Sequence, residues 1–101
     1  MTKDELREKH GTIRTAVTSV GELTFRKPTR TEWKKWKILR AGTVAEQVSA
    51  TENLMLDTIV SHTREELLAL LDVAPGLDSA PSVDKALSEL SGAVISDEGK
   101  I

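Results

Sequence analysis

The residues with the most suggestive chemistry lie in one stretch, LTFRKPTRTEWKKWKILR, which covers residues 23–40. This stretch holds seven of the chain's 14 basic residues and a single acid, Glu32. It also contains all the aromatic residues of the chain, Phe25, Trp33 and Trp36. Basic side chains interleaved with aromatic rings are typical of surfaces that bind nucleic acid, because cations contact phosphates and rings stack on bases. Nucleic-acid binding is therefore the first hypothesis for this stretch.

The distribution of charge weakens that hypothesis. Residues 26–40 carry a net charge of +6, so the remainder of the chain carries −8 within a net charge of −2. A helix-turn-helix places its recognition residues on the second helix, yet residues 44–61 contain no Lys or Arg. An acidic body repels a polyanion. Binding of DNA or RNA is thus disfavoured, and an acidic protein surface is the better partner for the basic segment.

Helical spacing divides residues 30–40 into two sides, because successive residues of a helix are about 100° apart. The apolar side consists of Trp33, Trp36 and Leu39. The opposite side carries Arg30, Lys34 and Lys37. We predict that the apolar side belongs to the core, with Arg40 placed to stack on a tryptophan ring. The basic residues are predicted to form an exposed protein-binding stripe.

Other chemistry finds little support. The chain has no cysteine, and its two histidines, His10 and His62, do not make a metal site. Ser61 and His62 are adjacent in sequence, whereas the members of a catalytic triad meet through the fold. No Gly-rich loop that would hold phosphate is present. We predict a protein that is not an enzyme and has no cofactor, with His62 in a loop before a helix.

The length of 101 residues predicts one domain, over about residues 1–95, with a frayed tail at 96–101. The start of the chain lacks the apolar segment of a secretory signal. No apolar run approaches the roughly 20 residues that span a bilayer. We therefore expect a soluble intracellular protein that does not contact a membrane.

Local patterns predict a mainly α fold with a small N-terminal β-hairpin, in the α+β class. Residues 3–10 favour a helix that ends at Gly11. Alternating residues on both sides of a Gly-containing turn predict a hairpin over about 12–27. Its apolar face is predicted to be Ile13, Val17, Leu23 and Phe25.

Helix starts are marked three times by a Thr followed three residues later by a Glu, which is the pattern of a capping box. These pairs are Thr29/Glu32, Thr43/Glu46 and Thr63/Glu66. Together with Ser82 as the cap of a last helix, they predict helices at about 30–41, 44–61, 64–73 and 83–91. The last helix is expected to face inward with Val83, Ala86, Leu87 and Leu90.

The segment from residue 54 to residue 77 has more large apolar side chains than a small helical bundle needs. One explanation is that its helices are central and buried on several sides. The other is an exposed apolar patch that binds a partner or another copy of the chain. The candidate contact residues for the second explanation are Leu54, Met55, Leu67, Leu68, Leu71 and Leu77. An acidic, leucine-rich half beside a basic helix would suit head-to-tail association.

The order of these features resembles the tail assembly chaperones of long-tailed, siphovirus-like bacteriophages. The most similar pieces are FRKPTRTEW at 25–33 and the later Glu66-Leu67, Leu71 and Pro75-Gly76-Leu77, and the resemblance covers most of residues 9–92. It implies a non-catalytic, mostly helical protein that self-associates into open spirals. It also implies binding to the long tape-measure protein, and in a longer frameshifted form to tail tube subunits, in the cytoplasm of the host bacterium. Such a chaperone is absent from the mature virion.

Two alternatives remain beside this resemblance. The chain could be a small nucleic-acid-binding regulatory protein that uses residues 26–40. It could also be a structural component that stays in the finished tail.

Overall fold

The computed structural model describes residues 2–92, which form five α-helices, one β-hairpin and a short 3₁₀ helix. The helices are α1 (Lys3–His10), α2 (Arg30–Arg40), α3 (Val44–Thr58), α4 (Arg64–Val73) and α5 (Pro81–Leu90). The strands are β1 (Ile13–Thr18) and β2 (Gly21–Arg26), and the 3₁₀ helix is Pro75–Ser79. The predicted α+β class is confirmed. The expected tail at 96–101 lies outside the described residues.

Threonine caps begin four of the five helices. Thr29, Thr43 and Thr63 each accept a hydrogen bond from the amide of the Glu three residues on, and that Glu accepts one from the amide of the Thr. All three predicted capping boxes are thus confirmed, and Thr2 makes a fourth with Glu5. Because each box satisfies two amides that the helix leaves unpaired, the four starts are fixed by local chemistry.

The predicted cap of the last helix is wrong. Helix α5 begins at Pro81, two residues before the predicted start, and its N-cap, Ala80, makes no side-chain hydrogen bond. A proline in the first turn has no N–H to satisfy and already has helical φ, so a hydroxyl cap is not needed there. The Ser82 hydroxyl instead donates to the carbonyl of Val17, 2.9 Å away, and so ties α5 to β1.

Helix α3 ends at Thr58, three residues before the predicted end at 61. The chain then becomes extended at Ile59, which forms an isolated antiparallel bridge with Phe25. The amide of Val60 donates to the carbonyl of Thr24 over 2.9 Å. The free edge of β2 offers unpaired backbone groups, and pairing with them replaces the last turn of the helix.

The hairpin has the predicted position but not the predicted apolar face. In its register Ala16 lies opposite Leu23 and Arg14 lies opposite Phe25. Residues directly opposite each other share a face, so Ile13 and Val17 lie on the other side of the sheet from Leu23 and Phe25. Val17 is 69% exposed. The alternation predicted within each strand was correct. Alternation alone, however, does not determine which residues of the two strands lie opposite each other.

The core lies between the inner face of the hairpin, the second half of α3, α4, the 3₁₀ helix and α5. Its buried cluster consists of Ala16, Leu23, Phe25, Leu54, Met55, Leu67, Leu71, Leu77, Val83, Ala86, Leu87 and Leu90. The predicted inward face of α5 is therefore confirmed. On the outer side of the hairpin, α1 packs against β1, where Leu6 and Ile13 are buried.

A long part of the chain stays outside this core. Pro28 is buried, and the next buried residue is Ala50. Residues 29–49, which comprise α2 and the first half of α3, therefore form what we call the arm. Helix α2 packs mainly on α3. The arm is thus held to the body through α3 and through the side chains described below.

Candidate protein-binding surfaces

The basic side of α2 is exposed as predicted. Arg30, Lys34 and Lys37 all lie at the surface, and we call them the basic stripe. None of the three forms an ion pair with any residue between 2 and 92. Their charges are therefore available to an acidic partner.

The other two cations of α2 have partners inside the molecule. Lys35 lies 3.6 Å from Asp57 on α3. The guanidinium of Arg40 sits over the ring of Trp36, 5.0 Å from its centre, as the sequence predicted. These two residues stabilise the arm, so they are distinct from the basic stripe.

Arg26, Glu32 and the main chain of α3 form a junction between β2, α2 and α3, which we call the arm clamp. Two nitrogens of Arg26 donate to the two carboxylate oxygens of Glu32, each over 2.8 Å, and one also donates to the carbonyl of Asp57 over 2.6 Å. The hydrogen bond from Arg26 is the largest cause that lowers the pKa of Glu32 to about 2, against the partial burial that raises it. The bidentate geometry fixes the start of the arm on the body.

The tryptophans are not core residues, contrary to the prediction. Trp33 and Trp36 stack with their ring centres 4.6 Å apart and an angle of 19° between the rings, yet both remain half-buried. Leu39 is also half-buried, and α2 contains no buried residue at all. The helical wheel found the correct side of α2 but could not show that this side meets only the edge of the core.

Most of the leucine-rich segment lies inside the molecule, so the second explanation, an exposed apolar patch, is wrong at five of its six candidate positions. Leu54, Met55, Leu67, Leu71 and Leu77 are at most 7% exposed. They are buried because α3, α4, the 3₁₀ helix, α5 and the hairpin surround one small core, which was the first of the two explanations.

Leu68 is the one predicted contact residue of this segment that is exposed, at 41%. Glu65 and Asp72, one turn before and after it on α4, are also at the surface. Neither carboxylate makes an ion pair within the described part of the chain. We call Glu65, Leu68 and Asp72 the α4 outer face. Its negative charge and central leucine complement the basic stripe.

A groove runs between the arm and α5. One wall is formed by Trp33, Trp36 and Arg40 of α2, and the other by residues of α5 that include Asp84 and Leu87. Leu54 and Thr51 of α3 lie between the two walls. The groove continues past Arg40 and Thr51 to Val48, Asp78 and Pro81.

The exposed apolar residues of the arm were not predicted as a surface. Ile38, Val44 and Val48 are each at least 69% exposed. Val44 and Val48 lie on the same side of α3 as the buried Met55 at about 100° per residue. Periodicity therefore predicts burial for them, and only the absence of a covering element leaves them in solvent. Asp84 and the groove had no sequence signal, because they depend on the packing of α2 and α5.

The loop before α4 holds a side-chain contact that resembles a catalytic pair. The hydroxyl of Ser61 lies 2.7 Å from Nδ1 of His62 and accepts a hydrogen bond from the amide of Thr24 over 2.9 Å. His62 precedes the capped start of α4, as predicted. These bonds connect the loop to β2, which is a structural role.

Two further properties of residues 2–92 bear on the kind of site. Within this range no group of three or more His, Cys, Asp or Glu side chains is arranged to hold a metal ion. Across the same residues no helix has the length and apolar character to cross a membrane.

Comparison with known proteins gives a structural likeness alone. No family model matches the chain. No curated protein matches it either. A solved structure of the uncharacterised protein rbstp2171 from Bacillus stearothermophilus is similar, with a TM-score of 0.72 over 93% of this chain and 95% of that one. The identity between the two chains is 23%, so this likeness concerns the fold.

Proposed function

We propose that the chain is a non-catalytic bacteriophage tail assembly chaperone that self-associates and binds the tape-measure protein during tail assembly. The observation that carries the proposal is the arm, which holds 21 consecutive residues outside the core together with the unpaired basic stripe. A chain that keeps a fifth of its length out of its core, and adds unpaired charge there, has a surface suited to protein contacts. The resemblance over residues 9–92 supplies the class of partner.

Self-association in this proposal joins the basic stripe of one copy to the α4 outer face of the next. The two surfaces differ in charge and lie on different helices, so the contact is heterologous and need not close into a ring. Ile38, exposed beside Lys34 and Lys37, would meet the exposed Leu68. An open chain of copies could then follow an extended helical client, with the tail tube protein as a second partner.

The test is co-expression in bacteria with a tape-measure protein, the very long helical client that the proposal names. We expect that protein to be soluble and to co-purify with the chain, and to precipitate without it. A long helical protein that stays soluble alone, or that never binds the chain, would contradict the proposal.

The place of action in this proposal is the cytoplasm of the host bacterium, and the chain leaves before the virion matures. Mass spectrometry of purified virions separates a chaperone from a structural tail component. We expect the chain to be absent from the particles. Its presence at the copy number of a tail protein would favour the structural role.

Nucleic-acid binding remains the second candidate, because the basic stripe has no ion-pair partner among the described residues 2–92. Gel-shift titration with duplex DNA at two salt concentrations tests it, since phosphate contacts lose affinity steeply as salt rises. We expect no binding at physiological salt.

A further inference from the structure

We propose that the groove between the arm and α5 binds an amphipathic helix of a different protein, with Lys or Arg residues beside its apolar stripe. This inference rests on the proposed function, because it assigns a binding site for the helical client. It goes beyond that function by naming the surface, which is separate from both the basic stripe and the α4 outer face.

The wall of the groove that α2 forms is apolar and incompletely covered. Trp33 and Trp36 pack against the edge of the core, but both rings remain half-buried. Leu54 of α3 and Leu87 of α5 line the same groove and are themselves buried. Two stacked indole rings present a large, rigid contact area with few rotatable bonds, which is the type of surface that anchors a partner.

The charge of the groove selects a basic occupant. Asp84 is exposed and Asp78 half-buried on the wall opposite the tryptophans. Neither carboxylate has an ion pair or side-chain hydrogen bond among residues 2–92, and the cation that lines the groove with them, Arg40, is placed over Trp36. A Lys or Arg of the occupant would give these acids their partner.

The dimensions of the groove suit a helix. Trp33 and Arg40 are seven residues apart on α2, so this wall is about 10 Å long, or two helical turns. Both walls are helices, so neither offers the free backbone groups that an extended peptide requires. A helix satisfies its own backbone and brings only side chains to the groove.

A second copy of the chain is a poor occupant. Its basic helix is α2, whose apolar side already packs on its own α3 and core edge. The only large apolar residue exposed on that helix is Ile38. Such a helix lacks the apolar stripe that the tryptophan wall of the groove requires.

The experiment uses a designed 18-residue amphipathic helix with leucines on one side and flanking lysines, and a second peptide in which glutamates replace those lysines. Both tryptophans of the chain lie in the groove, so their intrinsic fluorescence reports binding directly. We expect the lysine peptide to shift the emission of the full chain and the glutamate peptide to bind more weakly. For Asp84→Lys we expect a loss of about fivefold to tenfold for the lysine peptide, and a gain for the glutamate peptide.

Glu8→Lys is the matched control, since Glu8 is an exposed carboxylate of α1, outside the groove and outside the α4 outer face. It should leave both affinities within about twofold. The gain expected for Asp84→Lys cannot come from misfolding, so the exchange of preference remains decisive if that variant is less stable.

Equal binding of both peptides, or equal effects of the two variants, would overturn the inference. An emission change on dilution of the protein alone that Asp84→Lys abolishes would also overturn it, because the occupant would then be a second copy. If peptides do not bind but the chain still co-purifies with a long helical protein, the groove assignment fails while the proposed function stands.

Discussion

At the scale of single residues, the arm clamp is the contact with the clearest energetic signature. Arg26 reaches the Glu32 carboxylate from β2, and the same carboxylate accepts the amide of Thr29 over 2.8 Å. One side chain therefore both caps α2 and ties it to the hairpin. The chain uses Glu32 to fix the base of an arm that has no buried residue of its own.

We predict that Glu32→Gln lowers the free energy of unfolding by about 1–3 kcal/mol at pH 7, because hydrogen bonds to a charged group are lost and Arg26 keeps a partly buried charge. The pKa of Glu32 is about 2 in the folded chain, against an ordinary value of 4.5. Since the folded pKa is the lower one, the stabilisation is complete above the unfolded pKa and is lost as the pH falls toward 2. Urea unfolding at several pH values measures it.

The control for this prediction is Glu65→Gln, an exposed carboxylate without an ion pair in residues 2–92. It should change stability by less than about 0.5 kcal/mol at every pH. If the free energy of unfolding that Glu32→Gln loses stays constant from pH 7 to pH 3, the role of the ionised carboxylate is contradicted.

At the scale of elements, α4 shows how one helix serves the core and the surface at once. Its bounds, Arg64–Val73, are those predicted from the Thr63 cap and the following apolar period. Leu67 is 0% exposed whereas the adjacent Leu68 is 41% exposed. Consecutive helical residues point about 100° apart, so the two leucines contact different surroundings.

We predict that Leu67→Ala lowers the free energy of unfolding by about 2–5 kcal/mol, because it leaves a cavity in the core. Leu68→Ala should cost less than about 1 kcal/mol, because most surface substitutions are nearly neutral. Chemical denaturation of both variants, run side by side, compares the two positions. Equal losses would show that Leu68 is buried in solution, for example in a contact between copies that persists at the protein concentration used.

The elements also show where sequence reasoning succeeds and where it fails. Capping boxes depend on four neighbouring residues, so the starts of α2, α3 and α4 could be predicted. The end of α3 depends on Ile59 meeting Phe25, more than 30 positions earlier, and was missed. The hairpin face depends on register, and one residue of slip between strands changes which side chains share a side.

The candidate surfaces could likewise be predicted only where neighbouring residues determine them. The basic stripe could be predicted because helical spacing alone places Arg30, Lys34 and Lys37 together on α2. The leucines could not be assigned, since Leu67 and Leu68 differ only in what covers them. The groove needed three helices to be placed in space before Trp36 and Asp84 could be seen to face the same cleft.

At the scale of the whole molecule, charge is separated along the chain and the fold keeps it separated. The basic stripe, which has no ion pair among residues 2–92, lies on the arm, and the α4 outer face lies on the body. A molecule with two opposed surfaces on different elements can bind copies of itself repeatedly without using its core. Association of this kind weakens as salt is added, because salt screens the attraction between exposed charges.

We therefore predict that the average mass measured by sedimentation falls as salt rises from about 0.05 M to 0.5 M, since the screening length shortens well below 10 Å over this range. The double variant Lys34→Glu/Lys37→Glu should lower the average mass at low salt to the mass of the monomer. The matched pair Lys9→Glu/Lys85→Glu makes the same change in net charge at exposed positions outside the basic stripe and should leave association intact.

A strict monomer at every concentration would remove self-association from the proposed function. A mass that rises with salt would place the contact on apolar residues of the arm, Ile38, Val44 and Val48, because salt does not screen apolar contacts.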